Sequence, residues 1–109
     1  MGDMNRFAAL SDSTRLAIVE LLGAGPRTAG EIGTRFPISA PAVSQHLKTL
    51  REARLVRVRV DGQRRIYSLD PEGFEEMEDW FAKMRRFWGG RLDALERALE
   101  EDDEEGDDQ

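Results

Sequence analysis

Cysteine is absent from the chain, and histidine occurs once, at His46. Without thiols there is no disulfide framework and no thiolate metal site. A single imidazole cannot build a tight transition-metal centre unless carboxylates complete it. No apolar run is long enough to cross a membrane, and no secretory apolar segment lies near the start. Met1-Gly2 does not continue as a myristoylation signal, because position 6 is Arg rather than Ser or Thr. There is no nucleophile motif and no glycine-rich phosphate loop, so an enzymatic reading lacks its parts. No internal repeat is visible. At 109 residues, one small domain is expected.

The formal charge of −6 misleads about the surface. Residues 100–109 carry eight acids and no base, which leaves residues 1–99 with 16 bases and 14 acids, a net of +2. Local sign decides attraction to a polyanion. The acidic segment has no apolar residue to anchor it, so 1–99 is read as the domain and 100–109 as a disordered tail, solubilising rather than autoinhibitory.

The stretch from Ser39 to Leu69 organises the rest. Ser39 suits an N-cap, and Pro41 falls in the first turn, where its missing N–H costs nothing. Val43, Leu47 and Leu50 repeat at i, i+4, i+7 and form one apolar stripe. Pro41, Ser44, Gln45 and Lys48 fall on the opposite side, where an amide such as Gln45 can read a base edge and Lys48 can meet a phosphate. His46 lies about 60° off the stripe at 100° per residue; a half-buried ring bonded to the backbone is expected rather than a metal ligand or pH switch.

A hairpin follows. Val56, Val58 and Val60 alternate with Arg57 and Arg59, and Asp61-Gly62 supplies residues suited to a tight turn. Arg64, Arg65, Ile66, Tyr67 and Ser68 return as the second strand. A helix with a polar reading face, followed at once by a basic hairpin, outlines a winged helix-turn-helix.

Earlier in the chain, residues 4–10 are a short helical candidate. Ser11 or Asp12 caps a second helix that runs to about Leu22, with Ile18, Leu21 and Leu22 inward, and Gly23 to Pro26 stops it. Thr28 and Glu31 have capping-box spacing, and Ala29, Ile32 and Phe36 form the stripe of the short helix they open. Residues 28–52 therefore read helix, turn, helix. Arg54 stands where the second of these helices ends.

Asp70-Pro71-Glu72 starts a last helix. Its apolar positions are Phe74, Met77, Phe81, Met84, Trp88, Leu92, Leu95 and Leu99, at steps of three and four. So long an apolar face exceeds what a small domain can cover, so a second subunit is expected to cover it. Gly89-Gly90 interrupts the helix and predicts either a kink or a close helix–helix contact.

Residues 41–56, Pro-Ala-Val-Ser-Gln-His-Leu-Lys-Thr-Leu-Arg-Glu-Ala-Arg-Leu-Val, resemble the recognition helix and wing start of ArsR/SmtB-type bacterial repressors. Leu10 to Leu22 resembles the family's second helix, and Arg65-Ile-Tyr-Ser-Leu-Asp-Pro continues the likeness. The family usually has Gly where this chain has Arg54. The resemblance implies a mostly helical fold with a small β-hairpin, paired as a homodimer through its N- and C-terminal helices. It implies a cytoplasmic transcriptional repressor on double-stranded DNA with a palindromic operator.

The DNA-facing set is then Ser39, Ala40, Pro41, Ser44, Gln45, His46 and Lys48 on the helix and Arg59, Arg64 and Arg65 on the hairpin. Arg64 and Arg65 are read together as a phosphate or minor-groove pair. The dimer set is Phe7, Phe74, Met77, Phe81, Met84, Trp88, Leu92, Leu95 and Leu99, as dimer core rather than a small-molecule pocket. The family's metal sites use thiolates before the turn or His and acids on the last helix. Here the first lacks Cys and the second lacks His, so no metal and no cofactor is expected. The alternatives are a winged-helix protein–protein adaptor and a metal sensor with a novel carboxylate site.

Overall fold

The computed structural model describes residues 2–107, with side chains described for 5–102. The elements are α1 (Gly2–Leu10), α2 (Ser13–Gly23), β1 (Arg27–Thr28), α3 (Ala29–Gly33), α4 (Ala40–Glu52), β2 (Val56–Asp61), β3 (Arg64–Leu69) and α5 (Pro71–Asp107). The strands form one antiparallel sheet in the order β1-β3-β2. The sequence predicts only the β2–β3 hairpin. A two-residue strand has no periodicity to read, and β1 exists because Arg27 and Thr28 pair with Tyr67 and Ile66.

The chain divides into two compact units, residues 1–77 and 78–109. The first holds the core, in which Ile18, Ile32, Leu47, Leu50, Leu55 and Val56 are the largest fully buried side chains. Each contributes roughly 1.5–3 kcal/mol by leaving water. On α2, Ile18, Val19 and Leu22 are buried, whereas Leu21, expected inside, packs at the edge of the core. Asp12, rather than Ser11, caps α2, its carboxylate accepting from the Arg15 N–H at 2.9 Å.

Helix α4 ends in a Schellman motif. The Leu55 N–H donates to the Leu50 carbonyl at 3.0 Å and the Arg54 N–H to the Arg51 carbonyl at 3.0 Å. Arg54 takes the left-handed conformation this motif needs, at φ 59°. The motif forms without glycine because Leu50 and Leu55, the hydrophobic pair that accompanies it, are both fully buried.

The start of α5 is fastened to this corner. The Asp70 N–H donates to the Leu55 carbonyl at 2.9 Å, and the Asp70 carboxylate accepts from the Glu72 N–H at 3.0 Å. Gly73 lies against the chain at Arg54, and a Cβ there would collide with the Arg54 carbonyl. Arg6, itself buried, pairs with Glu76 at 2.6 Å. Three residues expected at the dimer surface pack within this unit. Met77 is part of the protomer's own core, and Phe7 and Phe74 pack against that core. The apolar periodicity that marks them records this packing as well as any second subunit can.

The second unit is the rest of α5. Phe81, Phe87, Trp88, Leu92, Leu95 and Leu99 are all exposed along it. Trp80 and Phe81 meet edge to face with centroids 5.2 Å apart, and the Arg91 guanidinium sits 4.9 Å from the Trp88 ring centroid. The helix runs through Gly89-Gly90, and a Cβ at either glycine would meet nothing within 4 Å. Among the described residues no contact therefore requires these glycines. Beyond Leu99, where composition predicts a disordered tail, the helix continues to Asp107. Glu is a good helix former, and extending an existing helix avoids the cost of nucleation. No helix among the described residues is long and apolar enough to cross a membrane.

Candidate nucleic-acid interface

Two capped helices position the reading surface. Thr28 ends β1 and caps α3, so one residue ties the sheet to the first helix of the pair. Its hydroxyl accepts from the Glu31 N–H at 3.2 Å, and the Glu31 carboxylate accepts from the Thr28 N–H at 3.2 Å. These bonds from Thr28 hold the Glu31 carboxyl below its ordinary value. After the turn, the Ser39 hydroxyl accepts from the Ala42 N–H at 3.3 Å, and Pro41 sits in the first turn of α4 as the sequence predicts.

Helix α4 buries Val43, Leu47 and Leu50 and exposes Ser39, Ala40, Pro41, Ser44, Gln45 and Lys48. The expected reading face is thus one continuous surface. Among the described residues the Gln45 side chain has no hydrogen-bond partner, so its donor and acceptor are both available.

His46 stands apart from that face. Its Nδ1 lies 3.3 Å from Arg15 Nη1 and 3.9 Å from the Asp12 carboxylate. A guanidinium only donates, so Arg15 is the donor in any hydrogen bond across this contact. The ring is half-buried, as expected, but its partner is a side chain of α2 rather than the backbone. Arg15 also donates through Nε to the Ala9 carbonyl at 2.7 Å, so one side chain joins the end of α1 to the reading helix. The Asp12 carboxyl is held below its ordinary value, chiefly by the Arg15 backbone N–H.

The hairpin turn falls one residue later than the sequence suggests. Asp61 pairs with Arg64, so the loop residues are Gly62 and Gln63, and of these only Gly62 has a positive φ, at 63°. A positive φ at the first central position alone is the pattern of a type II′ turn.

Strand alternation separates the two arginines read as a pair. Arg65 stands opposite Val60, and its alternation places it on the face of Tyr67 and Val58. Arg64, opposite Asp61, shares the other face with Arg59 and Arg57. Arg65 and Tyr67 line a groove whose far wall is Ser44, Lys48, Arg51 and Glu52 of α4. The structure therefore unites Ser44, Lys48 and Arg65 and leaves Arg59 and Arg64 off that groove. Arg51 belongs to the groove and is missing from the predicted set. Its signal was present, since Ser44, Lys48 and Arg51 repeat at i, i+4, i+7.

Comparison with known proteins identifies the family and the fold. Residues 10–59 match the helix-turn-helix domain family. The chain is 47% identical over 100 residues to the HTH-type transcriptional regulator Rv2034 of Mycobacterium tuberculosis, covering 92% of this chain and 88% of the relative. It is 40% identical over 76 residues to the transcriptional repressor SdpR of Bacillus subtilis, covering 70% and 84%. The crystal structure of an ArsR family transcriptional regulator superposes with a TM-score of 0.77 at 28% identity, covering 82% of this chain and 98% of that one. The fold is also that of a homodimeric winged helix-turn-helix DNA-binding domain from Mycobacterium bovis, with a TM-score of 0.63 at 23% identity, covering 81% and 83%. Relatives and structure together place the chain in the ArsR/SmtB-type family of winged helix-turn-helix transcriptional regulators.

Proposed function

We propose that the protein is a cytoplasmic homodimeric repressor that binds a palindromic operator in a sequence-specific manner and does not respond to metal. The observation that carries the DNA-reading part is the exposed face of α4, with Gln45 unpartnered and Ser44 and Lys48 facing Arg65 across one groove. The helix supplies base contacts through Gln45 and Ser44. Lys48, Arg59, Arg64 and Arg65 supply phosphate contacts, with Ser39, Ala40 and Pro41 at the helix entrance and His46 at its edge.

The dimer rests on the exposed stripe of α5, where Phe81, Leu92, Leu95 and Leu99 are each more than half exposed. An apolar row of this length in a soluble chain calls for a partner, and a second copy carries the matching row. Metal independence rests on composition, with no cysteine and one histidine, whose Nδ1 already faces Arg15.

The test is fluorescence anisotropy on the DNA upstream of the protein's own coding region, followed by footprinting. Two protected half-sites about one helical turn apart are expected. Gln45→Ala should cost roughly 1–3 kcal/mol on the protected sequence and almost nothing on random DNA. Equal loss on both would remove Gln45 as the reading residue. Near-equimolar Zn²⁺, Cu²⁺, Ni²⁺ or Co²⁺ should change affinity by no more than about twofold, well under 1 kcal/mol. A tenfold loss that persists after deletion of residues 100–109 would replace this reading with a metal sensor.

A further inference from the structure

Among the described residues, three arginines of the first unit have a carboxylate within ion-pair distance, and the other seven arginines and Lys48 do not, so what sets the groove cations apart is where they converge. Arg6 pairs with Glu76, Arg54 with Glu72 at 3.6 Å, and Arg64 with Asp61 at 3.9 Å. Lys48, Arg51 and Arg65 have no carboxylate within ion-pair distance among the described residues, and these three converge on the groove between α4 and β3. Tyr67, buried at 6% exposure, lines the groove with them, and Glu52 stands at the same wall as the one acid. Three unneutralised cations from two elements, arranged around a concavity, make a seat for a tetrahedral oxyanion.

We infer that this groove seats one DNA phosphodiester, held by Lys48, Arg51 and Arg65, with Glu52 weakening its hold. The inference rests on the DNA-reading surface proposed above and adds Arg51 and Glu52 to it. The reading residues Ser39 to Gln45 occupy the first half of α4, whereas Lys48 and Arg51 lie further along, toward its end. With the first half of a recognition helix in the major groove, the strand backbone bordering that groove passes between helix and wing. A phosphate there meets guanidinium and ammonium groups on both sides. The contact carries no base information, so it sets register and affinity rather than sequence preference. Glu52 opposes the same phosphate by like charge, and its removal should strengthen binding to any sequence.

The experiment measures affinity of the full-length chain for operator and scrambled duplexes across a chloride series. Arg51→Ala should lower the slope of log affinity against log salt by about one on both duplexes, while Arg51→Lys keeps the slope. Glu52→Gln should tighten binding about two- to fivefold at low salt on both. Arg51 and Glu52 are exposed, so neither change endangers the core. An unchanged slope in Arg51→Ala, with wild type still binding the operator, would overturn the groove assignment and leave the reading surface standing. Failure of wild type to retain either duplex would overturn both. A third arm replaces chloride by inorganic phosphate at matched ionic strength. Equal displacement by the two salts supports a backbone phosphate. Stronger displacement by phosphate that Arg51→Ala abolishes shows free oxyanion and DNA competing for this one seat and supports it, whereas stronger displacement that Arg51→Ala leaves unchanged would place the phosphate-sensitive contact elsewhere and overturn the groove assignment.

Discussion

The two units of this chain treat apolar residues in opposite ways. In residues 1–77 the large apolar side chains are mostly inward, with Ile18, Ile32, Leu50 and Leu55 at 0% exposure. In residues 78–109 they point out, Leu95 at 57% and Phe87 at 76%. Both segments have the same periodicity of three and four. Periodicity thus identifies a face to be covered without naming what covers it. In the first unit the covering is the protein's own sheet and helices, and in the second the proposed covering is another protomer.

The largest expected effect breaks the second unit alone. Leu95→Glu should convert the dimer to monomer in sedimentation at micromolar concentration, because an unpaired charge in an apolar seam is not tolerated. Operator affinity should fall by more than about a hundredfold as the two half-sites lose their linkage. Cooperative melting of the first unit should survive. A wild-type monomer at that concentration would remove the dimer from the proposal.

Next in size is a change confined to the first unit. Gly73→Ala puts a methyl into the Arg54 carbonyl and should cost about 3 kcal/mol, read by urea denaturation. The same substitution at Gly89 meets nothing within 4 Å, so it should raise helix stability by up to about 1 kcal/mol. That second result also tests the dimer, since a loss of association in Gly89→Ala would place the glycine at the seam.

Arg54→Gly should stabilise the first unit by roughly 1 kcal/mol, because φ of 59° is unstrained only for glycine. The exposed Arg54–Glu72 pair it removes is worth less than that. A destabilised variant would show that the arginine side chain contributes beyond its backbone position.

The smallest effect concerns acid. Glu31 and Asp12 are held below their ordinary values of 4.5 and 3.8, so folding favours their charged forms. Their contribution is complete above the ordinary values and is lost as pH falls through the lowered ones. Melting of the first unit should therefore be insensitive to these two groups near neutrality and weaken below about pH 4.5. Thr28→Ala should cost about 1 kcal/mol and flatten that acid dependence. An unchanged acid profile in Thr28→Ala would mean that the capping box is not its source.

What could be read in advance was local. The caps at Ser39, Thr28 and Asp70 were predictable because capping involves residues within three positions of each other. The buried face of α4 and the alternation of β2 were predictable because helix and strand each have one period. The exposed polar face of α4 followed from the same geometry. Arg51 was within reach of the same reasoning, at the spacing that joined Ser44 to Lys48.

The rest depended on groups far apart in sequence. β1 arises from pairing across about 40 residues, and no local pattern marks two residues that become a strand only when Tyr67 and Ile66 arrive. Arg64 and Arg65, neighbours on β3, stand on opposite faces by strand alternation alone, and the fold decided only which of those faces meets α4. Met77 and Leu95 belong to one apolar series, yet one is buried at 8% exposure and the other is open. The partner of His46, the need for glycine at position 73 and the convergence of Lys48, Arg51 and Arg65 are likewise tertiary. Sequence alone determined the elements and the kind of surface each presents, because backbone periodicity and capping act over one or two turns. Tertiary structure decided which cations remain unpaired and which apolar residues remain uncovered, because neutralisation and burial depend on neighbours that only the fold brings together.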